Sequence, residues 1–261
     1  MVSDLLAPAP EFAGTAPGIA SPAPGFVPRG ERIYAIGDVH GCVAAMDALM
    51  AAITADVTRH PVERATIVHI GDLIDRGPDS AGVVARAMAP FPVPGVRVVV
   101  LGGNHEAMME AALSGGRGAA ATWMALGGWD TLASWGARPG IRRREWAGLV
   151  PSAPRAFLAS RPLLYRAGSY VFVHAGVRPG IALANQARQD LISIREPFLS
   201  AETGLPDAGQ PFVVVHGHTP QPEPIVTPRR IGIDTGAVLG GMLSAVVLEG
   251  GAIRFLQVPG A

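Results

Sequence analysis

The chain has 261 residues, 49% of them hydrophobic, and its 21 acidic residues equal its 21 basic residues in number. This length suffices for one sizeable α/β domain, and the balanced charge argues against a dedicated nucleic-acid-binding protein. Every basic residue is arginine, which excludes catalysis through a lysine Schiff base, and no apolar run reaches the ~18 residues that would span a membrane.

Residues 1–30 are rich in alanine, proline and glycine and show no hydrophobic periodicity. Repeated proline removes backbone donors, and such a segment has little apolar surface to bury. We therefore predict a flexible tail over residues 1–30 and one folded domain over residues 31–261. Because we find neither a secretory signal nor a second cysteine to pair with Cys42, we expect a cytoplasmic protein without disulfides.

Strand-like and helical patterns alternate over the next 75 or so residues. The apolar runs in "RIYAIGDVHG", "ATIVHIGDLIDRG" and "VRVVVLGGNHE" are separated by helical patterns in "VAAMDALMAAI" and "DSAGVVARAMA". This β-α-β-α-β order predicts parallel strands joined by right-handed crossovers. All three strands end in polar clusters, and ligands bind beyond the carboxyl ends of parallel strands.

The second half has a different pattern. Residues 107–135 have a helical composition interrupted by glycine, and five short apolar runs follow from residue 170 onward: "YVFVHAG", "FVVVHGHTP", "RIGIDTGA", "MLSAVVLE" and "AIRFLQV". Short runs with turn-rich connections predict a β-rich C-terminal half. Two of these runs again end in histidine.

The polar residues at the strand ends form a candidate metal-binding set, namely Asp38, His40, Asp72, Asn104, His174 and His218. Carboxylate, imidazole and amide donors together suit manganese, iron or zinc rather than calcium. Six ligands are too many for one tetrahedral ion and suit two metal ions that share a carboxylate. We interpret His69, His216 and Asp234 as structural, and the tryptophans of residues 108–135 as core.

The ordered motifs "GDVHG", "GDLIDRG", "GGNHE", "HAG" and "GHT" resemble those of the calcineurin-like metallophosphoesterases. Within that superfamily they look like the bacterial phosphoprotein phosphatase branch, which "GGWDTLASWG", "IREPFL" and "IDTGAV" also resemble. The resemblance implies an α/β fold in which a β-sandwich is flanked by helices. It also implies two divalent metal ions, of which we expect Mn²⁺, with iron or zinc as alternatives.

The resemblance also implies a role for each site residue. The first metal would take Asp38, His40 and a bridging Asp72, and the second would take Asp72, Asn104, His174 and His218. His105 would be the general acid, oriented by Asp75. Arg76 would bind the substrate phosphate, and we expect Arg195 to be a second phosphate-binding arginine. The implied reaction is direct hydrolysis by metal-activated water.

Three functions remain open at this stage. The first is a serine/threonine protein phosphatase acting on a phosphoprotein, and the second is hydrolysis of a dinucleoside polyphosphate, a phosphorylated small molecule. The threonine in "GHTP" favours the first over the symmetrical tetraphosphatases, which usually carry tryptophan there. A catalytically inactive binding module is the third, although no candidate ligand is missing. We expect neither a nucleic-acid nor a membrane partner, and the oligomeric state cannot be predicted.

Overall fold

A computed structural model of the protein describes residues 20–201, 206–207 and 210–261. Its strands are β1 (Ser21–Pro22), β2 (Glu31–Ile36), β3 (Arg64–His69), β4 (Arg97–Val100), β5 (Leu164–Ala167), β6 (Tyr170–Val173), β7 (Pro206–Asp207), β8 (Gln210–Pro211), β9 (Val213–His216), β10 (Ile225–Val226), β11 (Arg230–Gly232), β12 (Met242–Glu249) and β13 (Ala252–Pro259). Its helices are α1 (Val43–Arg59), α2 (Ser80–Met88), α3 (Asn104–Leu113), α4 (Arg117–Ala125), α5 (Gly128–Ser134), α6 (Arg143–Leu149), α7 (Ser152–Ala159) and α8 (Arg188–Ser193). Two 3₁₀ turns cover Leu183–Asn185 and Ala237–Leu239.

Two mixed sheets form the centre of the molecule. The first has the strand order β1-β13-β12-β2-β3-β4, in which β2, β3 and β4 are parallel. The second has the order β10-β11-β9-β6-β5, with β6, β9 and β11 parallel. The predicted β-α-β-α-β unit and the β-rich second half are therefore both confirmed.

The two sheets face each other across a buried apolar layer. Ile33 and Val68 of the first sheet belong to the same buried cluster as Phe172 and Val215 of the second. Alternate residues of the central strands, such as Tyr34, instead pack against the helices outside the first sheet. Strands buried on both faces read as continuous apolar runs rather than as alternating ones, and the fold is the expected β-sandwich flanked by helices.

The last third of the predicted tail differs from the prediction. Residues 1–19 lie outside the described residues, whereas β1 pairs with β13 and Val27 is fully buried between the sheets. The Val27 N–H donates to the Gly250 carbonyl, and the Gly25 N–H donates to the Tyr170 hydroxyl. A proline-rich segment can thus extend the edge of an existing sheet, where its missing donors face outward. The folded part begins before residue 31.

The described residues contain no helix that is both long enough and apolar enough to span a membrane.

Candidate metal centre

The polar clusters that follow the parallel strands meet at one edge of the sandwich. Among the described residues, the non-glycine residues with positive φ are all predicted site residues: His40, Asp72, Asp75, Arg76 and His218. The turns are also too tight for side chains, since a Cβ on Gly103 would lie 2.1 Å from Asp72 Oδ1 and one on Gly217 would lie 2.0 Å from Asp38 Oδ1. These loops hold their side chains in strained but fixed positions.

A first group of donor atoms consists of His40, Asp72 and His105, which each place a ligand atom within 4.8 Å of the others. His40 Nε2 lies 3.6 Å from Asp72 Oδ2. His40 Nδ1 lies 2.8 Å from the Ile74 carbonyl oxygen, to which it donates. That bond leaves the Nε2 lone pair directed into the site, which is the form in which histidine binds a metal.

A second group shares Asp72 and adds His174 and His218. His174 Nε2 lies 3.2 Å from Asp72 Oδ2, and its Nδ1 lies 3.1 Å from the carbonyl oxygen of Ile70. The amide oxygen of Asn104 lies 2.9 Å from both His174 Nε2 and His218 Nδ1. Asp72 is thus the residue common to both groups, as expected of a bridging carboxylate.

Asp38 approaches the site from the end of β2. Its Oδ2 accepts the backbone N–H of His218 at 3.0 Å, which links the first sheet to the second. Its Oδ1 is buried and has no hydrogen-bond partner among the described residues. A buried carboxylate oxygen without a partner is costly, so this atom is available to a cation.

Burial and the neighbouring carboxylates shift the pKa values of the cluster in opposite directions. Burial and the neighbouring Asp234 and Asp72 carboxylates raise the pKa of Asp38 well above its usual range. Burial opposes a charge on His174, yet Asp72 and Asp38 raise its pKa to about 10. Burial lowers the pKa of His40 to about 4. The raised pKa favours the protonated form of Asp38, whereas for Asp72, although burial opposes its charge, the neighbouring histidines lower the pKa. A divalent cation in the site would favour the ionised form of Asp38.

The residues of this cluster fit a pair of divalent ions. The donors are carboxylate, imidazole and amide atoms, two of the histidines are fixed by backbone carbonyls, and one buried carboxylate oxygen is unpaired. This mixture suits borderline divalent metals. The six predicted ligands are brought together by the fold.

Beside the donor groups, the fold also brings together the three residues predicted to act on the substrate. His105 Nδ1 lies 2.6 Å from Asp75 Oδ2, and both residues are buried. The exposed Arg76 side chain lies above them, with its two terminal nitrogens 3.0 Å from His40 Nε2 and 2.9 Å from His105 Nε2. A carboxylate, an imidazole and a guanidinium thus lie in sequence from the interior to the surface.

Arg195 follows α8 in the chain and lies next to His218. Its side chain is exposed, and its Nη2 lies 3.5 Å from the backbone carbonyl oxygen of His218. The second predicted phosphate-binding arginine is therefore next to a candidate ligand.

A match to a family model establishes the family of this chain. The model of the calcineurin-like phosphoesterases matches residues 31–240. The chain belongs to the calcineurin-like phosphoesterase family. The family uses a dinuclear metal centre, and the described residues contain the carboxylate and imidazole groups for one.

Two curated relatives carry different activities in their names. The chain is 28% identical to serine/threonine-protein phosphatase 1 of Salmonella typhimurium over 228 residues, which are 84% of this chain and 92% of that protein. It is 30% identical to the asymmetrical bis(5'-nucleosyl)-tetraphosphatase PrpE of Bacillus velezensis over 229 residues, which are 80% and 86% of the two chains. Both proteins are relatives of this chain. Because the two identities are nearly equal, they do not indicate which of the two named activities this chain has.

A solved structure agrees in fold. A crystal structure provisionally assigned as a diadenosine tetraphosphatase superposes with a TM-score of 0.60 at 25% identity and covers 89% of this chain and 95% of its own.

Some contributors to this calcineurin-like site were not predicted. Glu106, the third residue of α3, is buried and accepts the backbone N–H groups of Asp72, Leu73 and Gly103 at 3.0, 2.8 and 2.8 Å. Its place three residues after Gly103, at the helix start, is a capping position that could have indicated this role. Trp123 and Thr131 contact Asp75, and no local signal marked them.

The residues interpreted as structural are all buried. His69 is buried in β3 and lacks hydrogen-bond partners among the described residues, and His216 Nδ1 lies 3.0 Å from the Gly217 carbonyl oxygen. Asp234 Oδ1 accepts the Gly236 N–H at 3.1 Å. Trp123 is in the core as interpreted, whereas the Trp129 side chain is 37% exposed.

Proposed function

We propose that this protein is a metal-dependent phosphatase that hydrolyses phosphoserine and phosphothreonine in proteins. The observation that carries the proposal is the convergence of two donor groups on Asp72, next to a buried His105–Asp75 pair and an exposed arginine. This arrangement would provide a site for two cations, a proton donor and a phosphate-binding group at one edge of the sandwich.

The proposed metal ligands are Asp38, His40, Asp72, Asn104, His174 and His218, and His105 is kept for proton transfer. Asp38, His40 and Asp72 would hold one ion, and Asp72, Asn104, His174 and His218 would hold the other, with Mn²⁺ as the expected metal. When bound, two such ions stabilise the developing charge on a phosphate and activate water for in-line attack. Asn104 adds a neutral donor, so the site is less repulsive to a phosphate than a third carboxylate would make it.

His105 would protonate the leaving alkoxide. Because Nδ1 donates to Asp75 at 2.6 Å, the proton available to the substrate is the one on Nε2. The Asp75 carboxylate orients the ring and stabilises its charged form.

Arg76 would bind two phosphate oxygens through its planar guanidinium. Its terminal nitrogens face His40 Nε2 and His105 Nε2. Since this side chain is exposed, it can turn from the imidazoles to an arriving phosphate and leave His105 Nε2 free to carry a proton. Arg195, near the His218 carbonyl oxygen, would contact the same phosphate.

The named relatives support two substrate classes. The serine/threonine-protein phosphatase of Salmonella typhimurium, covered over 92% of its length, supports phosphoproteins. The asymmetrical tetraphosphatase of Bacillus velezensis, covered over 86%, supports a dinucleoside polyphosphate as the second candidate. The motif "GHTP" favours the first over symmetrical tetraphosphatases.

A comparison of reaction rates on four substrates tests the proposal. With manganese added, initial rates are compared on a phosphoserine peptide, a phosphothreonine peptide, a phosphotyrosine peptide and a dinucleoside tetraphosphate. We expect the highest kcat/KM on a phosphoserine or phosphothreonine peptide. A rate on the tetraphosphate far above all three peptides would replace the first candidate by the second, and no hydrolysis of any of them would reject both.

A further inference from the structure

The Asp75 carboxylate has more partners than its role beside His105 requires. Asp75 is fully buried, and besides His105 it accepts hydrogen bonds from two residues outside the strand-end motifs. The Trp123 indole N–H lies between the two carboxylate oxygens, 3.0 Å from Oδ1 and 2.9 Å from Oδ2. The Thr131 hydroxyl donates to Oδ1 at 2.5 Å.

Thr131 also accepts a hydrogen bond from the Asp75 backbone, which has a φ of 74°. The Asp75 N–H donates to Thr131 Oγ1 at 2.8 Å and to Ser80 Oγ at 3.0 Å. One hydroxyl therefore accepts from the backbone of Asp75 and donates to its side chain. This closed arrangement fixes both the strained backbone and the direction of the carboxylate.

The indole N–H restricts the remaining freedom of the carboxylate. A carboxylate that accepts only one bond, from an imidazole, can rotate about its Cβ–Cγ bond. A donor centred between both oxygens holds the carboxylate plane, so that Oδ2 stays directed at His105 Nδ1. Hydrogen bonds to a charged acceptor are about twice as strong as neutral ones, so the indole also stabilises the ionised form.

We propose that Trp123 and Thr131 are positioning residues that hold the Asp75 carboxylate against His105 and so maintain His105 as a proton donor to the leaving group. This inference rests on the proposed function. It gives helices α4 and α5, which contain none of the predicted site residues, a role in positioning the proposed general acid.

The alternative is that Trp123 is a core residue whose N–H merely needs an acceptor. It is fully buried and its ring packs edge-on against Trp146, with centroids 6.1 Å apart. Trp146 offers a matched control, because its Nε1 is buried without a partner among the described residues. The same Trp→Phe change thus removes a hydrogen bond to Asp75 at one position and none at the other.

The test compares two aryl phosphates that differ in their need for a proton donor. Nitrophenolate leaves easily without protonation, whereas phenolate is a poorer leaving group that depends on the general acid. The kcat values on 4-nitrophenyl phosphate and phenyl phosphate are measured with manganese for the wild type, Trp123→Phe, Trp146→Phe, Thr131→Val and Thr131→Ser. Bound metal is measured for each variant.

We expect Trp123→Phe and Thr131→Val to raise the nitrophenyl-to-phenyl kcat ratio roughly tenfold over the wild type, as the loss of one hydrogen bond to a charged group predicts. Metal content should not change. Thr131→Ser, which keeps the hydroxyl, and Trp146→Phe should both keep the wild-type ratio. If Trp123→Phe does not fold, the Thr131 pair decides the question alone.

His105→Asn separates this inference from the proposed function. If its ratio rises while those of Trp123→Phe and Thr131→Val stay at the wild-type value, the inference is wrong and the proposed acid stands. An equal loss on both substrates in those two variants would also reject the inference, because it indicates only a structural role. If His105→Asn leaves the ratio unchanged, the acid role of His105 fails and the inference falls with it.

Discussion

Among the described residues, backbone strain at single residues is concentrated in the candidate metal centre. Left-handed backbone costs a non-glycine residue on the order of 1–3 kcal/mol and persists only where the surroundings enforce it. His40, Asp72 and His218 all adopt it, with φ of 45°, 49° and 63°. Histidine and aspartate tolerate this region better than branched residues do. The fold therefore accepts strain at the residues that must direct a side chain at the site.

Asp72→Asn removes the shared negative charge with little change in shape. Asparagine tolerates left-handed backbone, and its amide oxygen can still accept the His105 N–H that now lies 3.0 Å from Asp72 Oδ1. We expect kcat on a generic phosphomonoester to fall by roughly a hundredfold or more, since a two-metal site loses its common ligand. Steady-state kinetics with added manganese check this.

Asp79→Asn is the control, because Asp79 Oδ1 caps α2 by accepting the Gly82 N–H at 2.7 Å and asparagine caps equally well. This variant also removes one negative charge, seven residues after Asp72, and should keep wild-type activity. Near-wild-type turnover by Asp72→Asn would refute the shared-ligand assignment.

The first turn of α3 connects the end of β4 to the end of β3. Glu106 accepts three backbone N–H groups from the turns that contain Asp72 and Gly103. The strand ends and the convergence of their polar side chains could be predicted because a parallel strand places its last residues at a known edge. The contacts of Trp123 and Thr131 with Asp75 could not, because they depend on how helices pack against those turns, which local spacing does not encode. For Glu106, local spacing indicates only the bond to the Gly103 N–H.

Glu106→Gln should destabilise this junction, because one amide oxygen replaces two carboxylate oxygens and the new N–H₂ faces a backbone donor. We expect the free energy of unfolding to fall by about 1–3 kcal/mol, the usual cost of a buried polar group left without a partner. Urea unfolding of the metal-free chain measures it.

Glu110→Gln, on the same helix, is the control. Its carboxylate is only partly buried and meets Ser114 and Arg155 at the surface, where such pairs contribute little. Equal stability losses for the two variants would contradict the assigned role of Glu106.

The whole molecule is joined by contacts that span its sequence. Asp38 at the end of β2 accepts the N–H of His218, 180 positions away. Strand order between the two sheets could not be read from sequence, because it depends on which edges pair rather than on the pattern within a strand. The error at residues 20–30 has the same origin: their composition predicts no core of their own, yet they pair with β13.

A second long-range junction attaches α1 to the first sheet. Asp56 is buried and accepts hydrogen bonds from Tyr34 of β2 and Arg254 of β13. Burial opposes its charge, but these two donors hold the pKa of Asp56 below its usual range. Because its folded-state pKa is depressed, Asp56 stabilises the protein above its unfolded pKa, and that stabilisation is lost as the pH falls through the folded value.

Asp56→Asn should therefore lower the free energy of unfolding by about 3 kcal/mol at neutral pH, as the loss of one partner of a buried ion pair predicts. The difference from the wild type should shrink as the pH falls below about 4, where the unfolded aspartate protonates. Urea unfolding across this range measures both. A difference that stays constant down to about pH 2 would show that the charge of Asp56 is not involved.

We propose that six side chains from distant strand ends hold two ions through one shared carboxylate. Elemental analysis of active, full-length protein, after exchange into metal-free buffer, tests it most directly. We expect two divalent ions per chain, and loss of activity in step with their removal by a chelator. Full activity with no bound divalent ion, or with only one, would contradict it.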